Sequence, residues 1–293
     1  MAAPRFVKDS SGSAASKFGQ MIGAAFEEVV IDLVAGYIAQ EHSEYELLAP
    51  EKGRRMVTLE MLGGSLRQLD TVIAAKDSDD PVALLETKWL KDARHHNDKG
   101  AWILQLREIK KKYATVRGAI AILAGYWTQG VGVVLMSEGG VKMVLVATDE
   151  QVYSTLQGPL DEYLGDDSFI LDARIMRASY PRPWDLAGLL VVLESQGKLK
   201  EIASSWLEFE RGRDDNGNVL TGADRIKQAI DELLTPLPET PRIKGFEVAL
   251  QIDTGNVVYE QFDDVESALE FIQTHCRNPR VILQRITPRK REQ

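Results

Sequence analysis

One cysteine and four histidines in 293 residues leave little material for thiol, disulfide or soft-metal chemistry. The lone Cys276 excludes an internal disulfide framework and fits a reducing cytoplasm. The histidines, at 42, 95, 96 and 275, have no partners at zinc-ligand spacing. Long apolar runs are missing as well. No stretch is long enough to span a bilayer, and the opening MAAPRFVKDSSGSAASKFG lacks the apolar centre of a secretory leader, so a cytoplasmic protein is expected. Positive charge is in short supply: 35 Lys and Arg against 44 Asp and Glu give a net charge of −9. That balance argues against loose coating of nucleic acid, while leaving room for one local basic cleft. Phosphate-binding loops are absent too. Gly197-Lys198 has no upstream glycine at the distance a GxxxxGK loop needs, and Gly130-Val131-Gly132 is not a dinucleotide fingerprint.

What is present is an ordinary globular composition, 44% hydrophobic and 27% charged, long enough for one large domain or two smaller ones. Phe18, Ile22, Phe26, Val29, Leu33 and Tyr37 recur at helical spacing and predict a helix over Ser16–Gln40. Three strands follow, Arg55–Leu62, Leu66–Ala75 and Val82–Trp89, the first two joined across Gly63-Gly64. A helix is expected over Gly100–Thr115 and a fully buried strand over Gly118–Ala124, the pattern of a right-handed βαβ crossover. Val131–Met136 and Val141–Ala147 read as a further hairpin. Helical patterns then cover Asp149–Tyr163, Asp185–Gln196, Leu199–Glu210 and Gly222–Leu234. Pro236, Pro238 and Pro241 mark a linker, and the end reads as hairpin, helix and strand: Phe246–Asp253, Val257–Phe262, Val265–His275 and Val281–Ile286.

The chemistry concentrates in RQLDTVIAAKDSDDPVALLETKWLKD, residues 67–92. In the third strand alternate side chains share a face, so Glu86 and Lys88 project together with Leu84, about 7 Å apart along the strand. Asp70, on the neighbouring strand, lies at a depth where it faces the same way. Two carboxylates held close repel each other, and a Mg²⁺ ion relieves that repulsion while taking oxygen ligands. Such an ion neutralises charge on a phosphate and acidifies a bound water, while a lysine beside it orients or deprotonates the nucleophile and stabilises developing negative charge. The competing interpretation is a surface salt-bridge network. A Glu-x-Lys that continues the apolar run Val82–Leu85 sits uneasily with it.

Asp70 with Glu86-Thr87-Lys88, set on a helix, three strands, a helix and a strand, resembles the PD-(D/E)xK superfamily of restriction-endonuclease-like nucleases over roughly the first half of the chain. The residue before Asp70 is Leu69 where the motif's name has proline. The resemblance implies an α/β, αβββαβ core with a mixed sheet flanked by helices, over residues 1–155. An α-rich extension (156–240) and a small α+β module (241–293) would follow. It implies Mg²⁺ as cofactor, Asp70 and Glu86 as metal ligands and Lys88 beside the attacking water. The run Phe26-Glu27-Glu28-Val29 is similar to the FE-x-V pattern of Mrr-type members, which adds Glu27 to the metal site, with Glu28 as fallback. Arg107, Lys110 and Lys111 on the following helix are expected to meet the DNA backbone or simply to face water, and Gln105 is a weaker site candidate. His95 and His96 are expected to be idle, and His95-His96-Asn97-Asp98 lacks the second element of an HNH finger. The expected function is a Mg²⁺-dependent DNA endonuclease of restriction or other anti-invader type, acting as a homodimer. The alternatives are a non-catalytic nucleic-acid- or protein-binding member of the fold, and an RNA or repair nuclease.

Overall fold

The computed structural model describes residues 14–49, 57–92, 95–127, 140–172, 183–235, 245–251 and 257–275. The chain forms two compact units, Met1–Leu234 and Thr235–Gln293. The first is an α/β unit whose five-stranded mixed sheet is flanked by helices, with small extra sheets beside it. Among the described residues no helix is long and apolar enough to cross a membrane.

The unit opens with helix α1 (Ala14–Glu41). Its predicted stripe is wider than the spacing suggested. Met21, Ala25, Val30, Val34 and Ile38 are buried along with Phe18, Ile22, Phe26 and Val29. The reason is that α1 is covered on two sides, by the sheet and by later helices, so apolar residues occupy more than one face.

The sheet runs β1-β4-β5-β6-β7. Its first strand is β1 (Tyr45–Leu48), which the sequence reading left out; it pairs antiparallel with β4 (Thr71–Ala75). Arg55–Leu62, expected as the first strand of this sheet, instead supplies β2 (Val57–Glu60), which forms a separate hairpin with β3 (Leu66–Leu69). The single expected strand Leu66–Ala75 is therefore two strands that part at Asp70 and bond to different partners. Local β propensity marks both pieces, but the pairing that separates them is long-range.

Next comes β5 (Pro81–Leu90), antiparallel to β4 and parallel to β6 (Gly118–Gly125), which is parallel in turn to β7 (Val141–Thr148). All of β6 is buried, because helices cover both faces of this part of the sheet. Gly125 ends the strand with φ +88, and a Cβ there would stand 2.2 Å from the Leu90 carbonyl oxygen, so only glycine fits. The connection from β5 to β6 holds two helices where one was expected, α2 (His96–Leu104) and α3 (Leu106–Lys112), breaking at Gln105. Val131–Met136 lies outside the described residues.

The two sheet faces have separate cores. One gathers Ile73, Leu85, Ile120 and Ile122 with α1 and helices α4 (Asp149–Leu164), α5 (Pro183–Ser195), α6 (Lys198–Ser205) and α7 (Gly222–Leu234). The buried Trp206 sits 5.5 Å from Phe26 there and donates its indole N–H to Thr155. The other face gathers Leu69, Val72, Leu84, Ala121 and Leu123 with Ile103, Leu106 and Ile109 of α2 and α3. The helix expected over Leu199–Glu210 is shorter. A 3₁₀ turn (Trp206–Glu208) leads into an unanticipated hairpin of β8 (Glu210–Arg213) and β9 (Val219–Thr221). Its turn is closed by Asp214, which accepts the N–H groups of Asn216 and Asn218.

The second unit is small. Strands β10 (Phe246–Gln251) and β11 (Val257–Phe262) form an antiparallel hairpin. Helix α8 (Val265–His275) packs Ala268 and Ile272 against Val248 and Leu250. Asp264 caps that helix through the Ser267 N–H at 2.8 Å. The linker prolines, Cys276 and Val281–Ile286 lie outside the described residues.

Candidate active site

Strand β5 is the spine of the site. Residues 81–87 are buried, so the alternation that places Leu84 in the α2–α3 core places Glu86 and Lys88 on the same face, one and two steps further along. Asp70 enters from the point where β3 and β4 part. The Lys88 ammonium lies 2.5 Å from Asp70 Oδ2 and 2.9 Å from Glu86 Oε1. Both carboxylates therefore face one point, on one side of the sheet, as the sequence pattern required.

Glu86 is 1% exposed and has two further partners that the sequence reading missed. Trp102 of α2 donates its indole N–H to Glu86 Oε1 at 3.0 Å. Arg67 of β3, itself 3% exposed, brings Nη2 to 3.3 Å from Glu86 Oε2. The same guanidinium donates from Nη1 to the Trp102 carbonyl at 2.7 Å and stacks 4.7 Å from the Trp102 ring centre. A signal for Arg67 was available, since it shares its strand face with the fully buried Leu69. Trp102 falls at helical spacing with Ile103, Leu106 and Ile109, and nothing in that spacing distinguishes it from core.

These charges are held at odds with their burial. Burial depresses the Arg67 pKa, with Glu86 and Asp70 opposing it. For Lys88 burial also works downward, but Glu86 and Asp70 outweigh it and hold the ammonium above the ordinary lysine value. The Arg67–Glu86 pair is close enough to attract but misaligned for a hydrogen bond. Arg67 Nε, Arg67 Nη2 and Glu86 Oε2 are buried with no hydrogen-bond partner. Unmet buried groups of this kind are unfavourable unless something completes them.

Glu27 belongs to this cluster. Burial first, then the neighbouring Asp70 carboxylate, push it up to about 7; Lys88 opposes and Glu86 reinforces the rise. Glu28, one residue on, turns to the outside of α1 and pairs with Lys200 at 2.8 Å. Gln105 sits at the junction of α2 and α3, and it is Trp102 that reaches Glu86 from this segment. Arg107, Lys110 and Lys111 all have partners within the protein; Lys111 lies 3.6 Å from Glu108 on its own helix. Lys112 reaches Glu60 at 3.2 Å. His95 is exposed beside Asp98, whereas His96 is buried against Trp127, which lowers its pKa. His42 bonds Asp231, far along the chain, and takes no part here.

Mg²⁺ is the ion that paired carboxylates imply. Among the described residues no three His, Cys, Asp or Glu side chains stand close enough to cage an ion. Mg²⁺, however, is commonly held by one or two carboxylates and completed by water and substrate phosphate. Asp70 and Glu86 offer that arrangement. Their oxygens converge on one nitrogen, and the buried Glu86 Oε2 lacks a hydrogen bond. The residues fit a cation held by two carboxylates and not a closed cage.

No protein-family model matches the chain, and no curated protein matches it. A solved structure described as a protein of unknown function, AF1548, aligns with 56% of this chain and 98% of its own, at 11% identity and a TM-score of 0.27. That likeness is too slight to bear on fold family or function.

Proposed function

We propose that the chain is a divalent-metal-dependent nuclease with a restriction-endonuclease-like core, hydrolysing phosphodiester bonds in DNA. The observation that carries this reading is the meeting of Asp70 and Glu86 at the Lys88 ammonium, with Glu27 beside them. Asp70 and Glu86 would hold Mg²⁺, which supplies charge neutralisation at the scissile phosphate and an acidified water. Glu27, which closes no three-acid cage with them, would act on the metal through bound water.

Two carboxylates against Lys88 and Arg67 make the metal-free set neutral. A dication is favoured once Glu27 gives up its proton and a phosphodiester brings its own negative charge. Lys88 is held protonated by its acidic neighbours, so it serves as donor and charge partner, not as a base. Its ammonium orients the attacking water and donates to the phosphoryl oxygen where negative charge gathers. Arg67 and Trp102 hold the Glu86 carboxylate in place. One such site cuts one strand; a homodimer, which would bring a second site, is the assembly we propose where the other strand of a duplex is cut as well.

The test is incubation of the purified chain with Mg²⁺ or Mn²⁺ and supercoiled, linear, single-stranded and RNA substrates, beside Lys88→Ala. Metal-dependent fragments from the parent and none from the variant are expected. Equal cleavage by the variant, or none by the parent with either metal, would sink the reading. The missing three-ligand cage favours a second reading, in which the same charges only brace a non-catalytic nucleic-acid- or protein-binding member of the fold. Calorimetry showing no Mg²⁺ binding by a folded chain would select it.

A further inference from the structure

Beside the carboxylates stands a side chain that metal ligation alone does not explain. Trp102 is 44% exposed, yet it is pinned at three points: its N–H on Glu86, its carbonyl on Arg67, and one ring face under the Arg67 guanidinium. Arg67 takes one face and Glu86 the N–H edge, and by elimination we assign the exposure to the opposite face and the benzo edge. A glutamine or histidine would bond Glu86 equally well without holding apolar surface in water. A rigid indole also loses little conformational entropy when a flat partner arrives.

We propose that the open face of Trp102 is a stacking platform for an unpaired nucleobase next to the scissile phosphate, so that the preferred substrate is single-stranded DNA. In a duplex each base already stacks on both sides and offers no free face; an unpaired base does. This inference rests on the nuclease reading of the same site. It also accounts for how a chain of net charge −9, whose basic helix residues are engaged within the fold, holds a polyanion. Stacking supplies affinity that phosphate contacts do not.

The experiment uses the full chain carrying Lys88→Ala, in EDTA, so that neither cleavage nor metal intervenes. Fluorescence anisotropy reads the affinity for a labelled oligothymidine and for a hairpin duplex of equal length. Trp102→Leu should weaken single-strand binding about tenfold, the range expected for losing one base–aromatic stack. Trp102→Phe, which keeps the face and loses the N–H, should stay within about threefold, and duplex affinity should hardly change. Unchanged single-strand affinity in Trp102→Leu overturns the proposal. So does an equal loss in Trp102→Phe, which would assign the effect to the Glu86 hydrogen bond.

A readout on the unmutated tryptophan guards against misfolding of the variants. With 2-aminopurine moved along the oligonucleotide, one position should lose most of its fluorescence, and uniform brightness overturns the proposal. Loss of the nuclease reading remains distinguishable. A chain that never cleaves but binds through Trp102 refutes only that reading, whereas one that cleaves with binding indifferent to Trp102 refutes only the platform.

Discussion

Helix α1 touches two polar clusters that were built differently. At its C-terminal end Tyr37 donates to Asp231 Oδ1 at 2.6 Å, and His42 Nε2 lies 2.8 Å from the same oxygen. The Asp231 side chain is 47% exposed, so water shares the work. Midway along the helix, Glu27 feels the charges of Asp70, Lys88 and Glu86, and in that cluster Glu86 and Arg67 are sealed from water with hydrogen bonds unmet. Both clusters contain acids and their partners. The first is a satisfied brace between α1 and α7; the second stores a deficit that a ligand can fill. Exposure and satisfaction, not residue type, separate a structural cluster from a candidate site.

The widest predicted separation is in activity. Lys88→Ala should lower Mg²⁺-dependent cleavage at least about 100-fold, as expected for losing a preorganised charge at the reacting phosphate. His42→Ala should leave cleavage rates within about twofold. Equal effects of the two variants would erase the distinction.

In stability the order should follow burial. Arg67→Met strips the sealed Glu86 of one of its two cations and leaves Oε2 facing none, at about 3–5 kcal/mol in urea melts. Arg67→Met combined with Glu86→Leu should recover most of that, and Mg²⁺ should raise the single variant's Tm more than the parent's. A single variant as stable as the parent would mean that the buried pair is not under strain.

A smaller effect depends on pH. Burial and Asp70 lift Glu27 from 4.5 to about 7, so the folded chain keeps this proton where the unfolded chain releases it. The stability linked to Glu27 is therefore complete below about pH 4.5 and lost as pH rises through about 7. Glu27→Gln removes that dependence. Against the parent it should gain about 2 kcal/mol between pH 4.5 and pH 8. Mg²⁺ should narrow the difference at pH 8, and parallel stability curves for the two proteins would refute the placement.

The smallest change is at the satisfied cluster. Tyr37→Phe should cost about 1 kcal/mol, the net worth of one ordinary hydrogen bond, with or without Mg²⁺. Its phenol is pushed up to about 12 by burial and the Asp231 bond, so an alkaline ultraviolet titration should show one late-ionising tyrosine that the variant lacks.

Much of the site was legible in the sequence because strands alternate strictly. Glu86 and Lys88 had to share a face with Leu84 once β5 was recognised, and β6 was plain from an apolar run without polar breaks. Glu27 could be nominated from its motif, but only the facing of α1 separates it from Glu28, which goes to Lys200. Arg67 and Trp102 are not legible as site residues, because a polar residue in a strand and an apolar one on a helix are both common without function. The β8–β9 hairpin carried its own mark, Asn216-Gly217 with Gly217 at φ +84, which a helical pattern running up to Glu210 obscured.

Periodicity and turn chemistry are local, so the sequence alone determined that α1, β5, β6, α4 and α7 exist and, in β5, that Leu84, Glu86 and Lys88 share a face. Strand partnership is not local. The entry of β1 into the main sheet and the meeting of Arg67, Trp102 and Glu86 rest on contacts 16 to 35 residues apart, while β3 and β4 part at Asp70 because each joins a different hairpin partner. Those contacts form only when both faces of the sheet close over their cores, because the hydrophobic gain of closure is what holds buried charges in place against the pull of water.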